Sequence, residues 1–143
     1  MADTELYLFD GFNLLHAGGF ASPDELRDLL ASWVAAHGAE GVLVFDGAGT
    51  DERRGPLEVR WARDADALLE RLAAEHRGSR AVAIVSSDEA VRDTAGVQVR
   101  KLSSKGFLAE LARPEHLDRE RGDLRDRLDP ATLAELERLR RGA

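Results

Sequence analysis

The chain alternates between short apolar runs and longer segments whose apolar positions follow a helical spacing. Three of the runs end in turns that contain aspartate: residues 6–9, 41–45 and 81–85. Runs of this length predict buried strands. Leu57, Val59 and Trp61 alternate with charged residues, which predicts a more exposed strand, and residues 97–102 predict one more. We therefore expect about five strands.

Leucine stripes at helical spacing predict helices between these strands. Ser22 and Glu25 form a capping box in front of the first stripe. A second helix is predicted over residues 64–78, and a further helix from residue 103 or 104 onward. Because strands alternate with helices, we expect an α/β fold with a mostly parallel central sheet and helices on both faces. Ligands of such folds bind at the carboxyl ends of the strands.

Length and composition bound the number of domains. A chain of 143 residues is long enough for one domain with its own core. Past Pro114 the sequence becomes an alternation of arginine, aspartate, glutamate and leucine. We assign residues 1–112 to the domain and residues 113–143 to a charged, helical or partly disordered tail.

The composition also excludes several classes of function. The chain has no cysteine, so disulfides, thiolate catalysis and a cysteine zinc site are excluded. The first residues show no leader pattern and no apolar stretch approaches the roughly 20 residues of a membrane helix, so we expect a cytoplasmic protein. A net charge of −7 argues against broad electrostatic binding to nucleic acid but leaves room for a local basic patch.

Aspartates follow the three buried strands. Asp10, Asp46 and Asp88 each come just after a strand, so a parallel sheet brings at least two of them to the same edge. Clustered carboxylates repel each other unless a cation compensates, and Mg²⁺ or Mn²⁺ prefers such oxygen ligands. Asp66 and Glu70 form an i, i+4 pair that could complete the site from the second helix.

Each of these acids also has an ordinary structural interpretation. Asp10 and Asp46 precede glycine and could be turn residues, Asp88 could be a helix N-terminal acid, and Asp66 and Glu70 could be surface. For any one residue alone the ordinary interpretation is favoured. Taken together, three strand-end aspartates favour a metal site without identifying the reaction.

Other chemistries fit the sequence less well. A haloacid dehalogenase-type phosphatase needs a second aspartate two residues after the first, where this chain has Phe12 or Ala48. A receiver domain needs an acidic pair after the first strand and Lys-Pro after the fifth, and neither is present. No glycine-rich phosphate loop occurs. The histidines are scattered, and only His16 follows closely behind an acidic candidate.

Five segments in a fixed order resemble the YacP-like NYN domains, a family of the PIN-like nuclease superfamily. These segments are LFDGFNLL at 8–15, VFDG at 44–47, DADALLERL at 64–72, VSSD at 85–88 and RKLSSK at 100–105. The resemblance covers roughly residues 6–111 and leaves the tail uncovered. An ordered set of motifs is much more specific than any one of them.

The resemblance implies a PIN-like three-layer fold and an RNA endonuclease that depends on Mg²⁺ or Mn²⁺. It implies Asp10, Asp66 and Asp88 as metal ligands and catalytic acids, with Asn13 beside them as a hydrogen-bonding residue. Asp46 is a further candidate ligand. Some bacterial relatives act on messenger RNA at the ribosome. In one departure, Ala67 stands where relatives often carry another acid, which weakens the expected ligand set.

RNA binding requires basic groups that contact phosphate. The best candidates are Arg53 and Arg54 in the predicted loop after the second strand, and Arg100, Lys101 and Lys105 around the fifth strand. Ordinary surface charge explains them almost equally well. The rival to a nuclease is a non-catalytic module that binds RNA or the ribosome and has kept the nuclease fold.

Overall fold

The computed structural model describes residues 4–112. It contains six strands: β1 (Leu6–Asp10), β2 (Glu40–Asp46), β3 (Glu52–Arg54), β4 (Leu57–Ala62), β5 (Val82–Val85) and β6 (Arg100–Leu102). It contains five helices within the same residues: α1 (Gly11–Gly18), α2 (Pro23–Ala36), α3 (Ala65–His76), α4 (Glu89–Thr94) and α5 (Ser104–Leu111). The predicted tail, residues 113–143, lies outside the described residues, so the division into domain and tail stays a prediction.

The six strands form one sheet in the order β3-β4-β2-β1-β5-β6. All neighbouring pairs are parallel except β3 with β4, which is antiparallel. The predicted α/β fold with a mostly parallel sheet is therefore confirmed. No helix within the described part of the chain is long and apolar enough to cross a membrane.

Helices cover both faces of this sheet. On one face, strand residues such as Leu8 and Ile84 form a core with the leucines of α3 and with Val91 of α4. On the other face, the Phe9 ring meets the Phe107 ring of α5 edge-on at 5.4 Å between centroids. Helix α2 packs on β2 and β4. The central strands are buried on both sides, which explains their nearly continuous apolar sequence.

Two elements differ from the sequence-based expectation. Residues 52–54, expected in a loop, form the edge strand β3, which pairs with β4 across a turn where Gly55 has a φ of 59°. The strand has no apolar alternation because an edge strand of charged residues faces solvent and discourages further strand pairing. The strand expected over residues 97–102 begins only at Arg100, because Val97 lies in an exposed turn.

Helix α1 was also missed, because no cap signal precedes it. Asp10 ends β1 and is the N-cap residue of α1 without a side-chain capping bond. The helix follows the strand so closely that a Cβ on Gly11 would lie 2.5 Å from the Phe45 ring and 2.7 Å from the Val44 carbonyl oxygen. Only glycine permits this close approach of the start of α1 to β2.

Candidate functional site

The carboxyl ends of the parallel strands form one edge of the sheet, called here the carboxyl edge. Strand β1 lies in the middle, between β2 and β5, and Asp10 is its last residue. Asp46 ends β2, and Asp88 follows β5 after a two-serine turn. The sheet therefore places Asp10 between the other two strand-end aspartates.

The Ser86 hydroxyl connects Asp10 to the turn that carries Asp88. Its Oγ donates to Asp10 Oδ2 at 2.7 Å and accepts from the backbone N–H of Asp88 at 3.1 Å. Ser86 is fully buried, so this bond is shielded from water. The half-buried Asp10 carboxylate is thereby held in a fixed orientation at the centre of the edge.

The negative charges of the aspartates affect one another's pKa values. Burial raises the pKa of Asp10, and the charges of Asp88 and Asp46 raise it further, while bonds from Ser86 and the Asn13 backbone lower it. Burial also raises the pKa of Asp66, followed by the charges of Asp10 and Asp88. Among residues 4–112 no ion pair involves any of these four aspartates. Their mutual repulsion is therefore not neutralised by a basic side chain there.

Two of the aspartates also have the structural role considered from the sequence. Asp88 is the N-cap of α4, and its Oδ1 accepts from the Ala90 backbone N–H at 2.9 Å. Asp46 Oδ1 accepts from the Ala65 backbone N–H at 3.2 Å, which ties β2 to the start of α3. Each carboxylate keeps a second oxygen outside that bond. A helix-terminal role and a ligand role are therefore compatible.

Helix α3 places Asp66, but not Glu70, near the other aspartates. Asp66 lies in the first turn of α3, whose N-cap is Asp64. Glu70 lies one turn further along and is exposed, and it is not among the leading charges that act on Asp10 or Asp66. We therefore leave Glu70 out of the candidate site.

Asn13 lies in the first turn of α1 and joins three segments of the carboxyl edge. Its Oδ1 accepts from the Ser87 backbone N–H at 2.9 Å and from the Ser104 hydroxyl. The Ser104 backbone N–H in turn donates to Ser87 Oγ at 3.0 Å. This network, formed by Asn13, Ser87 and Ser104, fixes the side chain that the sequence predicted beside the acids.

Comparison with known proteins identifies the family. The model of the family described as YacP-like NYN domain matches residues 7–141. The chain belongs to the YacP-like NYN domain family. The match extends through residues 112–141, further than the segments that carry the resemblance in the sequence.

A solved structure supports this assignment of the NYN domain. The crystal structure of Rae1 (YacP) from Bacillus subtilis, a single-substitution variant, is similar with a TM-score of 0.61 and 26% sequence identity. The similarity covers 82% of this chain and 79% of that chain. A comparison with curated proteins finds no significant match. Family and fold together support a nuclease-type function related to RNA.

Most of the predicted phosphate contacts lie away from the acids of this NYN domain. In the sheet register Arg54 is opposite Leu57 and Arg53 is opposite Glu58, near the amino ends of the parallel strands. Arg53 lines a cavity of about 280 Å³ there, together with Leu6 and Glu40. The loop position predicted for both arginines is wrong, and their contact with RNA stays a prediction.

The basic residues around β6 have different surroundings. Arg100 donates to the Tyr7 hydroxyl at 2.6 Å and to Glu5, so it is engaged in a local cluster. Lys101 donates to the Val99 carbonyl at 3.0 Å and to that of Gly96. Lys105 is exposed beside Ser104 in the first turn of α5. Of the predicted basic residues, Lys105 has the position best suited to contact RNA at the carboxyl edge.

Three residues of the site were not found from the sequence. Ser86 and Ser104 have no distinctive spacing, and only their complete burial and hydrogen bonds reveal them. Arg63 follows β4 at the carboxyl edge, is exposed and makes no ion pair within residues 4–112. Its position directly before the acidic start of α3 was the available signal. His16 is exposed and its ring stacks on Phe12, with no bond to the acids.

The aspartates can be tested against the divalent cation that the family implies. All four supply hard oxygen donors, and the pKa values of Asp10 and Asp66 are raised first by burial and then by the charges of neighbouring aspartates. Within residues 4–112 no three acidic or histidine side chains form a preassembled metal-binding group. Like-charged carboxylates repel one another, and a cation that compensates this repulsion allows them to converge. The donor chemistry therefore fits Mg²⁺ or Mn²⁺.

Proposed function

We propose that this chain is an endoribonuclease that depends on Mg²⁺ or Mn²⁺ and cleaves phosphodiester bonds. One observation carries the proposal. Four aspartates from separate segments repel one another at the carboxyl edge of a nuclease-family fold, without a basic partner in residues 4–112. Asp10, Asp66 and Asp88 would hold the metal, with Asp46 as a further ligand.

The chain's own residues set up the reaction around this cation. The metal, when bound, supplies positive charge for the phosphate and lowers the pKa of a water molecule. Ser86 holds the Asp10 carboxylate in place through its 2.7 Å bond. Asp66, in the first turn of α3, would accept a proton from an attacking water. Asn13 would orient the substrate through its fixed side chain.

Messenger RNA at the ribosome is the proposed substrate, as the resemblance to YacP-like NYN domains implies, and such a substrate would place the protein in the cytoplasm. The net charge of −7 supports a substrate that is presented by a partner over one captured by general electrostatic attraction. Incubation with translating ribosomes and with the same messenger RNA free in solution tests this point. Faster cleavage on the ribosome is expected, and equal rates would remove the ribosome from the proposal.

A non-catalytic module that binds RNA or the ribosome is the second candidate. It is favoured by the lack of a preassembled metal-binding group in residues 4–112 and by the capping bonds of Asp46 and Asp88. Such a protein would bind RNA without turnover, and neutralising Asp10 would leave binding unchanged or stronger.

Cleavage of an end-labelled unstructured RNA decides between the two candidates. The parent is compared with Asp10→Asn in Mn²⁺, Mg²⁺ and EDTA. Asp93→Asn is the matched control, because Asp93 is an exposed aspartate of α4 outside the site. We expect cleavage by the parent and the control in metal only, and a loss of at least about 100-fold in Asp10→Asn. RNA binding without cleavage in any arm would establish the module.

A further inference from the structure

The orientation of the Asn13 amide is determined by its neighbours. A backbone N–H can only donate, so the Asn13 atom that meets the Ser87 N–H at 2.9 Å must be the oxygen. The Ser104 hydroxyl donates to the same oxygen. With its oxygen fixed by two donors, Asn13 must present its NH₂ group on the other side.

That NH₂ group is free to bind a ligand. Within residues 4–112 Asn13 Nδ2 has no hydrogen-bond acceptor. In the same residues Arg92 Nε is the one buried side-chain nitrogen or oxygen without a hydrogen-bond partner, so Asn13 Nδ2 is not buried. The nitrogen therefore reaches solvent. The Asn13 side chain lies beside the acids, because its partner Ser87 stands between Ser86, which donates to Asp10, and Asp88.

The chemistry of the surroundings selects the ligand. The aspartates of the carboxyl edge accept hydrogen bonds and repel phosphate, and no basic side chain pairs with them in the described residues. A neutral donor can approach a phosphate beside these acids without competing with the cation for them. Non-bridging phosphate oxygens only accept hydrogen bonds, which matches an NH₂ group that only donates.

We propose that Asn13 Nδ2 donates to a non-bridging oxygen of the phosphate that is cleaved, and that Ser104 is the positioning residue that aims it. This inference rests on the proposed function and adds an atom-level contact to it. Ser104 is fully buried, and its backbone and hydroxyl bond to Ser87 and Asn13. Without its hydroxyl the amide keeps only one of the two donors that fix its oxygen.

The test couples the protein change to a change in the phosphate. One unstructured RNA is used, with its cleaved linkage mapped on the parent, in a normal form and in a form with a methylphosphonate at that linkage. A methylphosphonate replaces one non-bridging oxygen by a methyl group. Binding of both RNAs is measured in Ca²⁺ for the parent, Asn13→Ala, Ser104→Ala and Ser104→Thr. Ser103→Ala is the matched control, because Ser103 lies just before α5 and its Oγ accepts from the Gly106 N–H, without a bond to Asn13.

A methylphosphonate linkage has two isomers, one for each non-bridging oxygen, and the two are separated before use. We expect Asn13→Ala to weaken binding of the normal RNA by about tenfold. For the isomer that lacks the contacted oxygen, the same variant should weaken binding by less than about twofold. Ser104→Ala should show the same pattern at about threefold, and Ser104→Thr should restore binding. Ser103→Ala should bind both RNAs like the parent. Thermal melts separate this pattern from a general loss of stability.

Equal losses on the normal RNA and on both isomers would overturn the contact, and parent-like binding by Ser104→Ala would overturn its positioning role. If the parent cleaves RNA but Asn13→Ala shows no coupling to the phosphate, the inference alone fails. If the parent cleaves nothing, the proposed function fails and the inference fails with it.

Discussion

Variants of Asp88 distinguish the structural from the catalytic interpretation of the carboxyl edge, because Asp88 caps a helix and is also a candidate metal ligand. Its Oδ1 caps α4 through the Ala90 N–H, and its charge raises the pKa of Asp10. Asparagine can accept the same capping bond without the charge, whereas alanine removes both. Asp88→Asn and Asp88→Ala therefore divide the capping contribution from the charge.

The expected magnitudes follow from these contacts. Loss of a negative charge at the start of a helix costs about 0.3–1 kcal/mol. Relief of repulsion with Asp10 offsets this by a similar amount, on the order of 1 kcal/mol. Metal-free Asp88→Asn should therefore unfold within roughly 0.5 kcal/mol of the parent. Asp88→Ala should be less stable than Asp88→Asn by about 1 kcal/mol, which is the usual cost of a lost N-cap.

Bound metal should stabilise the parent more than either Asp88 variant. At a concentration of 100 times Kd, the metal stabilises the parent by about 2.7 kcal/mol. If a lost ligand raises Kd tenfold, the same concentration stabilises either variant by about 1.4 kcal/mol. The difference corresponds to roughly 4 °C in Tm for a domain of this size.

Thermal and urea melts with and without Mn²⁺ measure both effects, and Asp93→Asn is the control. The metal role of Asp88 is refuted if the parent and both Asp88 variants gain equally in stability from Mn²⁺. Asp88 would then be only a helix cap.

Four further predictions follow from the site. Asp10 has a folded-state pKa above the reference value of 3.8, so the unfolding free energy of the metal-free parent, relative to Asp10→Asn, should fall as pH rises from below 3.8 through the raised pKa; a difference that rises with pH in urea melts would contradict this sign. Ser86→Ala removes the donor to Asp10 Oδ2 and should weaken Mn²⁺ binding by about tenfold in calorimetry, with Ser86→Thr closer to the parent; unchanged affinity in Ser86→Ala would reject the role of the hydroxyl. Ala67→Asp adds an acid at the exposed start of α3 and should tighten Mn²⁺ binding severalfold; unchanged or weaker binding would show that this position does not reach the metal. Lys105→Ala should flatten the salt dependence of RNA binding by about 0.7 in slope and Arg54→Ala by less; the reverse order would move the RNA path to the β3 edge.

The sequence predicted the parts of the fold that rest on strong local patterns. Buried strands that end in Asp-Gly and a capping box at Ser22 are visible because apolar runs and caps are written in adjacent residues. The box is confirmed, since Ser22 Oγ accepts from the Glu25 N–H and Glu25 Oε2 accepts from the Ala21 N–H. Strand β3 was not predictable in the same way, because three charged residues gain their strand geometry only by pairing with β4.

The site was predictable in its charges and not in its supporting bonds. Strand-end position alone predicts that Asp10, Asp46 and Asp88 share one edge of a parallel sheet, and the strand order places Asp10 in the middle. Ser86 and Ser104 act through contacts with residues 76 and 91 positions away, respectively, and no local pattern encodes such distances. The arginines of β3 were misjudged for the same reason, because the register with β4 decides which end of the sheet they occupy.

The central claim is that the aspartates of the carboxyl edge bind the metal that acts on RNA. Anomalous diffraction from crystals of the parent soaked in Mn²⁺, collected near the manganese absorption edge, tests it most directly. We predict a manganese peak in contact with the Asp10 carboxylate and with at least one oxygen of Asp88 or Asp66, and no such peak in Asp10→Asn. A parent that cleaves RNA in Mn²⁺ but binds manganese only elsewhere on its surface would contradict the account.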